Sequence, residues 1–511
     1  MIRSFALFGL ALPLWVFTVA FAQTPCERLK SLSLPNTTIT AAESVAAGPF
    51  RAPGQAEGAT VMLPAHCRVA AVLAPSSDSH IEMEVWLPAD WNGKLEAVGN
   101  GGWAGVISIT YRASAVERSL VAALREGYAT ASTDTGHKVA EVPGASFALG
   151  HPEKLIDFAY RAVHEMTVQS KAIVTAFYGR GPRLSYWNGC STGGRQALME
   201  AQRYSGDFDG ILAGAPANYW APLMTGMIVA AQAAHEGQPG NLPREKLSLL
   251  NTSVLQACDA LDGIRDGLIE DPTRCRFDPK VLGCNGSDGP SCLTAPQVDA
   301  ARKLYASAAD IEAKRATFPG MMPGSELGWD PINGLQPFAI GESHFRYLVF
   351  KNAAWDFRSF SFDRDSTAAE EASRLITATG PNLKPFFDRG GKLIQYHGWN
   401  DQQISPTASI GYYKSVEEKL GGQAKISGSY RLFMAPGMMH CGGGPGPNEF
   451  NGMAALERWR ESGIAPDQIT ASHVENNRVI MTRPLCPYPQ VARYNGAGST
   501  NDAANFSCKA P

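Results

Sequence analysis

Leu184-Ser185-Tyr186-Trp187-Asn188-Gly189-Cys190-Ser191-Thr192-Gly193-Gly194-Arg195-Gln196-Ala197-Leu198-Met199-Glu200 is the stretch on which the fold turns. Residues 184–188 read as an apolar strand, and residues 193–204 read as a helix. Between them Gly189-Cys190-Ser191-Thr192-Gly193 fits G-x-S-x-G, and strand, turn and helix are the setting that a nucleophile elbow needs. Small neighbours let the serine take a strained backbone conformation that presents its hydroxyl at the end of the strand. The competing reading is an ordinary glycine-rich turn between a strand and a helix.

Strand–helix alternation extends on both sides of this turn. Residues 81–87 place Ile81, Met83, Val85 and Leu87 in alternation with outward acids, the pattern of a half-buried strand. A second strand at 95–98 runs into Gly99-Asn100-Gly101-Gly102-Trp103-Ala104-Gly105, and a third lies at 128–132. Residues 155–178 carry helical apolar spacing through Leu155, Phe158, Ala162, Met166, Ile173 and Phe177, and stop at Gly179. Another strand at 210–213 closes on Gly214-Ala215-Pro216. These spacings predict a mainly parallel sheet covered on both faces. The alternation lapses over about 217–380, where turn dipeptides and four of the ten cysteines gather. It resumes with a strand at 392–397, a helix at 409–420, a strand at 430–434 and a helix at 454–462. One α/β domain built from residues 23–216 and 381–511, interrupted by an inserted region at 217–380, is the simplest organisation.

Composition narrows the function. The chain has 511 residues, 44% hydrophobic and 18% charged, so it is globular. Lys+Arg total 45 against 48 Asp+Glu, a net charge of −3, which argues against nucleic acid as a partner. Arg3 precedes an apolar run over 5–22 that ends Ala20-Phe21-Ala22, the pattern of a secretory signal cut before Gln23. A membrane anchor is the alternative for this segment, but no stop-transfer charges follow it. Cleavage would leave a secreted or periplasmic protein without a membrane segment. Its ten cysteines are then expected to form five disulfides.

A serine nucleophile needs a base and an acid to orient it, which follow in the order Ser…Asp/Glu…His on this architecture. Asp401 follows the 392–397 strand and His440 follows the 430–434 strand, so Ser191, Asp401 and His440 satisfy that order. Asp388 competes for the acid, but its neighbour Arg389 suggests a surface turn. His397 and Ile404 are assigned to the substrate pocket, with simple packing as the alternative for His397. The oxyanion hole should combine the Thr192 N–H with one from the Gly99–Gly105 turn, where glycine permits close backbone approach. Cys190 precedes Ser191 and Cys441 follows His440, which suggests a tether between nucleophile and base; a metal site is the alternative. Asp259, Asp262 and Asp266 lie on one glycine-punctuated loop, with Ile264 and Leu268 able to add carbonyls. Hard oxygens on a turning backbone suit Ca²⁺, although the spacing is not an EF-hand and a solvated surface loop fits too.

The combination Cys190-Ser191, Asp401 and His440-Cys441 resembles the tannase and feruloyl esterase family of secreted α/β-hydrolases. Stretches 187–194, 207–216, 390–401, 431–446 and 483–488 support the likeness, which is weakest at about 300–380. The resemblance implies an α/β-hydrolase fold with a large inserted lid. It also implies a structural calcium held by Asp259, Asp262, Ile264, Asp266 and Leu268, and Gly102 as the second oxyanion donor. The implied disulfides are Cys26–Cys67, Cys190–Cys441, Cys258–Cys275, Cys284–Cys292 and Cys486–Cys508. Family substrates are feruloyl esters, galloyl esters or mono(2-hydroxyethyl) terephthalate. The terephthalate-cleaving type uses a lid arginine, for which Arg346 and Arg358 are nearby candidates, and an acid where this chain has Thr192. A hydroxycinnamoyl ester is therefore the expected substrate. A calcium-stabilised extracellular binding protein on the same scaffold is the rival from a different class.

Overall fold

The structure, a computed structural model, describes residues 24–51, 60–110, 116, 118–141, 144–235, 240–306, 320–330, 332 and 336–511. The expected signal segment 1–22, with its cut before Gln23, lies outside the described residues. A nine-stranded sheet organises the chain. Its strands are β1 (Thr37–Val45), β2 (His66–Leu73), β3 (Ile81–Pro88), β4 (Lys94–Val98), β5 (Ala129–Thr133), β6 (Leu184–Cys190), β7 (Gly210–Gly214), β8 (Lys392–Gly398) and β9 (Tyr430–Ala435). Their spatial order is β1-β2-β3-β5-β4-β6-β7-β8-β9. The run from β5 to β9 is parallel. The three pairings that involve β1, β2 and β3 are antiparallel. The chain thus has an α/β-hydrolase fold with a mainly parallel sheet.

The parallel strands are buried on both faces, and their residues divide with the period of two that a pleat imposes. On β6, β7 and β8, Trp187, Ile211 and Leu393 belong to one core, while Tyr186, Leu212 and Ile394 belong to the opposite one. The first core also holds Met166 and Ile173 of α1 (Ala162–Tyr178) and Leu198 of α2 (Thr192–Arg203). Among the described residues between β7 and β8, none joins this sheet. They form instead helices that include α3 (Trp220–His235), α4 (Arg244–Cys258) and α5 (Ala339–His344). Beyond β8, α6 (Pro406–Leu420) adds Tyr412 and Tyr413 to the first core, and α7 (Gly452–Ser462) adds Leu456 and Trp459 to the second.

Two expectations are corrected. Strand β3 is not half-buried: Glu84 is enclosed, where it accepts hydrogen bonds from Arg68 Nε (2.9 Å) and Trp86 Nε1 (2.6 Å). The antiparallel strands beside β3 place Arg68 opposite Trp86, so a buried acid is compensated by a cation that local alternation does not reveal. The helix expected over 155–178 is broken into Pro152–Ile156, a π-helical turn Asp157–Arg161, and α1. The π turn has a structural use. Phe158 O and Ala159 O accept hydrogen bonds from the wholly buried Arg195 guanidinium, at 3.1 and 2.7 Å.

Candidate active site

The turn between β6 and α2 holds Ser191 at φ +62° and ψ −119°, a conformation rare for a residue with a side chain. Its amide donates to Gly214 O (3.0 Å), and its carbonyl accepts from Arg195 N (3.0 Å) and Ala217 N (3.1 Å). These bonds offset strain that costs on the order of 1–3 kcal/mol. The flanking glycines are needed for close approach. A Cβ on Gly189 would stand 2.7 Å from Gly193 C and O, and one on Gly194 would stand 2.2 Å from Gly214 O. Arg195 was legible only as a helix residue. Buried beneath the elbow, it also donates to Ile376 O of the inserted segment (3.3 Å). Burial pulls its guanidinium down to about 9.

Asp401 and His440 meet across the ends of β8 and β9. His440 Nδ1–H donates to Asp401 Oδ2 at 2.8 Å. Gly398 permits the two loops to touch, since a Cβ there would stand 2.2 Å from Met438 O. Asp401 Oδ1 accepts from the Gln403 and Ile404 amides at 2.8 and 2.9 Å. Burial acts to raise the Asp401 carboxyl, but the His440 and His397 rings outweigh it and hold the group well below the usual carboxylate range. An acid that stays ionised when buried can orient an imidazole and stabilise its protonated form. Asp388 is exposed and paired with Lys384 (2.6 Å), away from this arrangement.

His397 departs from the pocket role expected of it. Its side chain is 0% exposed and bonded within the acid loop, with Nε2 3.0 Å from both Asp401 Oδ2 and Ile404 O, and Nδ1 2.7 Å from Ser409 Oγ. The 392–397 strand places this ring at the same sheet end as Asp401, which sequence spacing could not separate from a pocket wall. Ile404 acts through its backbone at Asp401 and His397. Its side chain packs in the core that contains Trp220 and Met227 of α3.

Cys190 and Cys441 are bonded, with Cα atoms 5.9 Å apart, so the residues next to them in sequence, Ser191 and His440, are brought to one locus. The other bonds join Cys26–Cys67, Cys258–Cys275, Cys284–Cys292 and Cys486–Cys508. Thr192 opens α2, where the first-turn amides have no partner within the helix. Its hydroxyl donates to Gly102 O at 2.6 Å, which ties the glycine-rich turn to the elbow. Gly102 has φ +55°, and the adjacent Trp103 packs against Phe147, Phe158 and Trp220, its Nε1–H donating to Ile340 O (3.1 Å) in the segment between β7 and β8. The oxyanion candidates are thereby held from both the elbow and the inserted segment.

The acidic loop after α4 folds its carboxylates onto its own backbone. Asp259 accepts from Asp266 N and Gly267 N, Asp262 from Ile264 N, and Asp266 from Leu268 N. Gly263 and Gly267 make the reversals at φ +99° and +80°. The wholly buried Arg483 of the strand Arg478–Leu485 donates to Asp266. Burial, and then the neighbouring acids, raise Asp262 and push Glu270 up to about 8, against the pull of Arg483. This surplus of hard oxygen and negative charge fits a divalent cation such as Ca²⁺. Among the described residues, the groups that bring three His, Cys or carboxylate donor atoms within 4.8 Å of one another lie elsewhere. In Cys284–Asp288–Cys292 the sulfurs are bonded to each other, and in His164–Glu200–Asp207 the His164 Nδ1 lies 2.6 Å from Asp207 Oδ2.

Residues 67–509 match the family described as tannase and feruloyl esterase. An uncharacterised esterase of Xanthomonas campestris pv. campestris is 38% identical, over 99% of this chain and 94% of its own length. A probable feruloyl esterase B-1 of Aspergillus oryzae is 32% identical, over 87% of this chain and 84% of its own. The crystal structure of feruloyl esterase B from Aspergillus oryzae superposes with a TM-score of 0.87 at 30% identity, covering 95% of this chain and 99% of that one. Tannin acyl hydrolase from Aspergillus niger shares the fold, with a TM-score of 0.77 at 23% identity over 96% of this chain and 94% of that one. The chain belongs to the tannase and feruloyl esterase family and is a carboxylic ester hydrolase.

Proposed function

We propose that the protein hydrolyses esters of hydroxycinnamic acids through an acyl-enzyme on Ser191. The observation that carries this reading is the Cys190–Cys441 bond, which joins the strained serine turn to the residue beside a histidine already bonded to Asp401. His440 Nδ1 is bonded to Asp401, and in this reading Nε2 serves Ser191. The Ser191 oxygen bonds to the ester carbonyl carbon while His440 takes its proton. The carbonyl oxygen becomes an oxyanion, held by the Thr192 and Gly102 N–H groups. Collapse breaks the bond to the alcohol, which leaves with the proton from His440. Water, deprotonated by His440, then attacks the acyl carbon and frees the acid and Ser191.

The preference for hydroxycinnamoyl esters rests on the likeness to feruloyl esterase B. It also rests on two arginines. Arg346 pairs with Glu342 (2.7 Å) and Arg358 with Asp356 (2.5 Å), so neither offers an uncommitted cation to a terephthalate carboxylate. Turnover of methyl ferulate, methyl gallate and mono(2-hydroxyethyl) terephthalate tests the choice. The highest kcat/KM is expected on methyl ferulate, and a higher value on either of the others would reassign the substrate. The segment between β7 and β8 is read as a lid that shapes the acyl pocket. Export is supported by five disulfides, and no helix among the described residues is long and apolar enough to cross a membrane.

Thr192→Val keeps the amide and removes the hydroxyl that holds Gly102. A displacement of the oxyanion donors by a fraction of an ångström is expected to lower kcat about tenfold. KM should change little, and Thr192→Ser should recover most of the loss. Steady-state kinetics on the three proteins provide the check.

Asp259, Asp262 and Asp266, with the carbonyls of Ile264 and Leu268, would hold calcium as a structural ion that neutralises the loop. Arg483 ties this loop to the strand Arg478–Leu485, so loss of the ion is expected to loosen the contact between them. An ion bound only by the folded protein stabilises it by about 2.7 kcal/mol at a hundredfold excess over Kd. Exhaustive chelation should therefore lower the melting temperature, and added calcium should restore it. An unchanged melting curve, with no calcium in metal analysis of the purified protein, would leave the loop as a set of acidic turns.

A further inference from the structure

We infer that His397 is a positioning residue for ester hydrolysis, fixing the Asp401 carboxylate so that Oδ2 stays aimed at His440. The inference rests on the roles proposed above for Ser191, Asp401 and His440. Asp401 receives four hydrogen bonds, two per oxygen. Gln403 N and Ile404 N hold Oδ1, while His440 Nδ1 and His397 Nε2 hold Oδ2. Four donors on two sides leave the carboxylate no freedom to rotate. Removal of His397 leaves Oδ2 with His440 alone, and the acid can then turn with the group it is meant to orient.

The chemistry of the ring supports this role over simple packing. Nε2 faces two acceptors, Asp401 Oδ2 and Ile404 O, each 3.0 Å away. It must therefore carry a proton, which sets this side of the imidazole as a donor. Nδ1 stands 2.7 Å from the Ser409 hydroxyl on the first turns of α6, itself buried. A chain Ser409–His397–Asp401–His440 thus runs from α6 to the end of β9. It locks the strand that carries His397 to the helix that follows the acid loop. An apolar side chain at 397 would fill the space but leave Ile404 O and part of Oδ2 without this donor in a buried site.

The test compares wild type, His397→Leu, His397→Gln, Ser409→Ala and Ser191→Ala on methyl ferulate and p-nitrophenyl acetate, with melting curves for each. Gln keeps an N–H near the Nε2 position, whereas Leu has none. His397→Leu is expected to lower kcat about 10- to 100-fold on both esters, with KM within about twofold, because only alignment is lost. His397→Gln should regain most of that loss, and Ser409→Ala should lower kcat by about two- to fivefold. Equal kcat in the Leu and wild-type proteins would overturn the inference, as would equal losses in the Leu and Gln proteins that follow their melting temperatures. If the Leu protein does not fold, the Gln and Ser409→Ala proteins decide: wild-type kcat in Ser409→Ala, or a changed KM in place of kcat in both, overturns it. Ser191→Ala separates the two levels of the argument. Turnover surviving in that variant defeats the proposed triad itself, whereas its loss alongside an unaffected His397→Leu defeats only the role given to His397.

Discussion

Ser191→Ala is expected to lose about a millionfold in kcat, and His440→Ala about as much, because nucleophile and base act as one unit. Neither residue belongs to a hydrophobic core: Ser191 sits in a turn held by backbone bonds, and His440, with its side chain 10% exposed, lies in the loop after β9. Folding should therefore be retained, and the melting temperature of each variant checks it. Asp401→Asn is expected to cost about ten-thousandfold, since the amide can present an N–H to His440 Nδ1 and favour the wrong tautomer. The residual activity of Ser191→Ala and His440→Ala should exceed the uncatalysed rate by roughly 10³- to 10⁴-fold, from the oxyanion donors and binding, and that of Asp401→Asn by about a hundredfold more. A Ser191→Ala enzyme within tenfold of wild type, assayed free of wild-type contamination, would remove the serine mechanism.

The second large effect belongs to the bond between Cys190 and Cys441. It joins residues 251 apart in sequence and sits between the two loops that must cooperate. In the Cys190→Ala/Cys441→Ala protein those loops keep the sheet beneath them but lose their direct link. Misplacement by about 1 Å is enough to cost about a hundredfold in rate. The stability loss, about 2–5 kcal/mol for a native disulfide in a small secreted domain, should be better tolerated by a core of this size. The expected result is a folded protein with kcat down about a hundredfold and a reduced labelling rate with a fluorophosphonate. A doubly substituted enzyme with wild-type kcat, or free-thiol titration showing reactive Cys190 and Cys441 in the wild type, would contradict the role of the tether.

Much of this arrangement was legible in the chain, for identifiable reasons. The strand ends and the glycines around Ser191 mark a turn whose steric demands are local, so the elbow, α2 and β6 could be read from a dozen residues. Asp401 and His440 each stand just past an apolar strand of a parallel sheet, where side chains gather at one edge. What escaped were features set by distant partners. Glu84 looks like an outward acid until Arg68 and Trp86 are placed beside it by antiparallel pairing. Arg195 reads only as a helix residue, yet it is enclosed because a π turn and the segment between β7 and β8 supply carbonyls. Strands β1 and β2, each with an Ala-Ala pair that falls on both faces, have too little apolar contrast to announce their faces. His397 was placed near the site, but its orientation depends on Ser409 and Ile404, which no spacing rule links to it.

The most direct measurement is to react the purified protein with a fluorophosphonate and locate the adduct by mass spectrometry of its peptides, alongside residual hydrolysis of methyl ferulate. One adduct per chain, on the peptide that contains Ser191, with activity lost in proportion to labelling, is the expected result. Full inhibition with the label on another residue, or continued hydrolysis by protein fully labelled at Ser191, would contradict it.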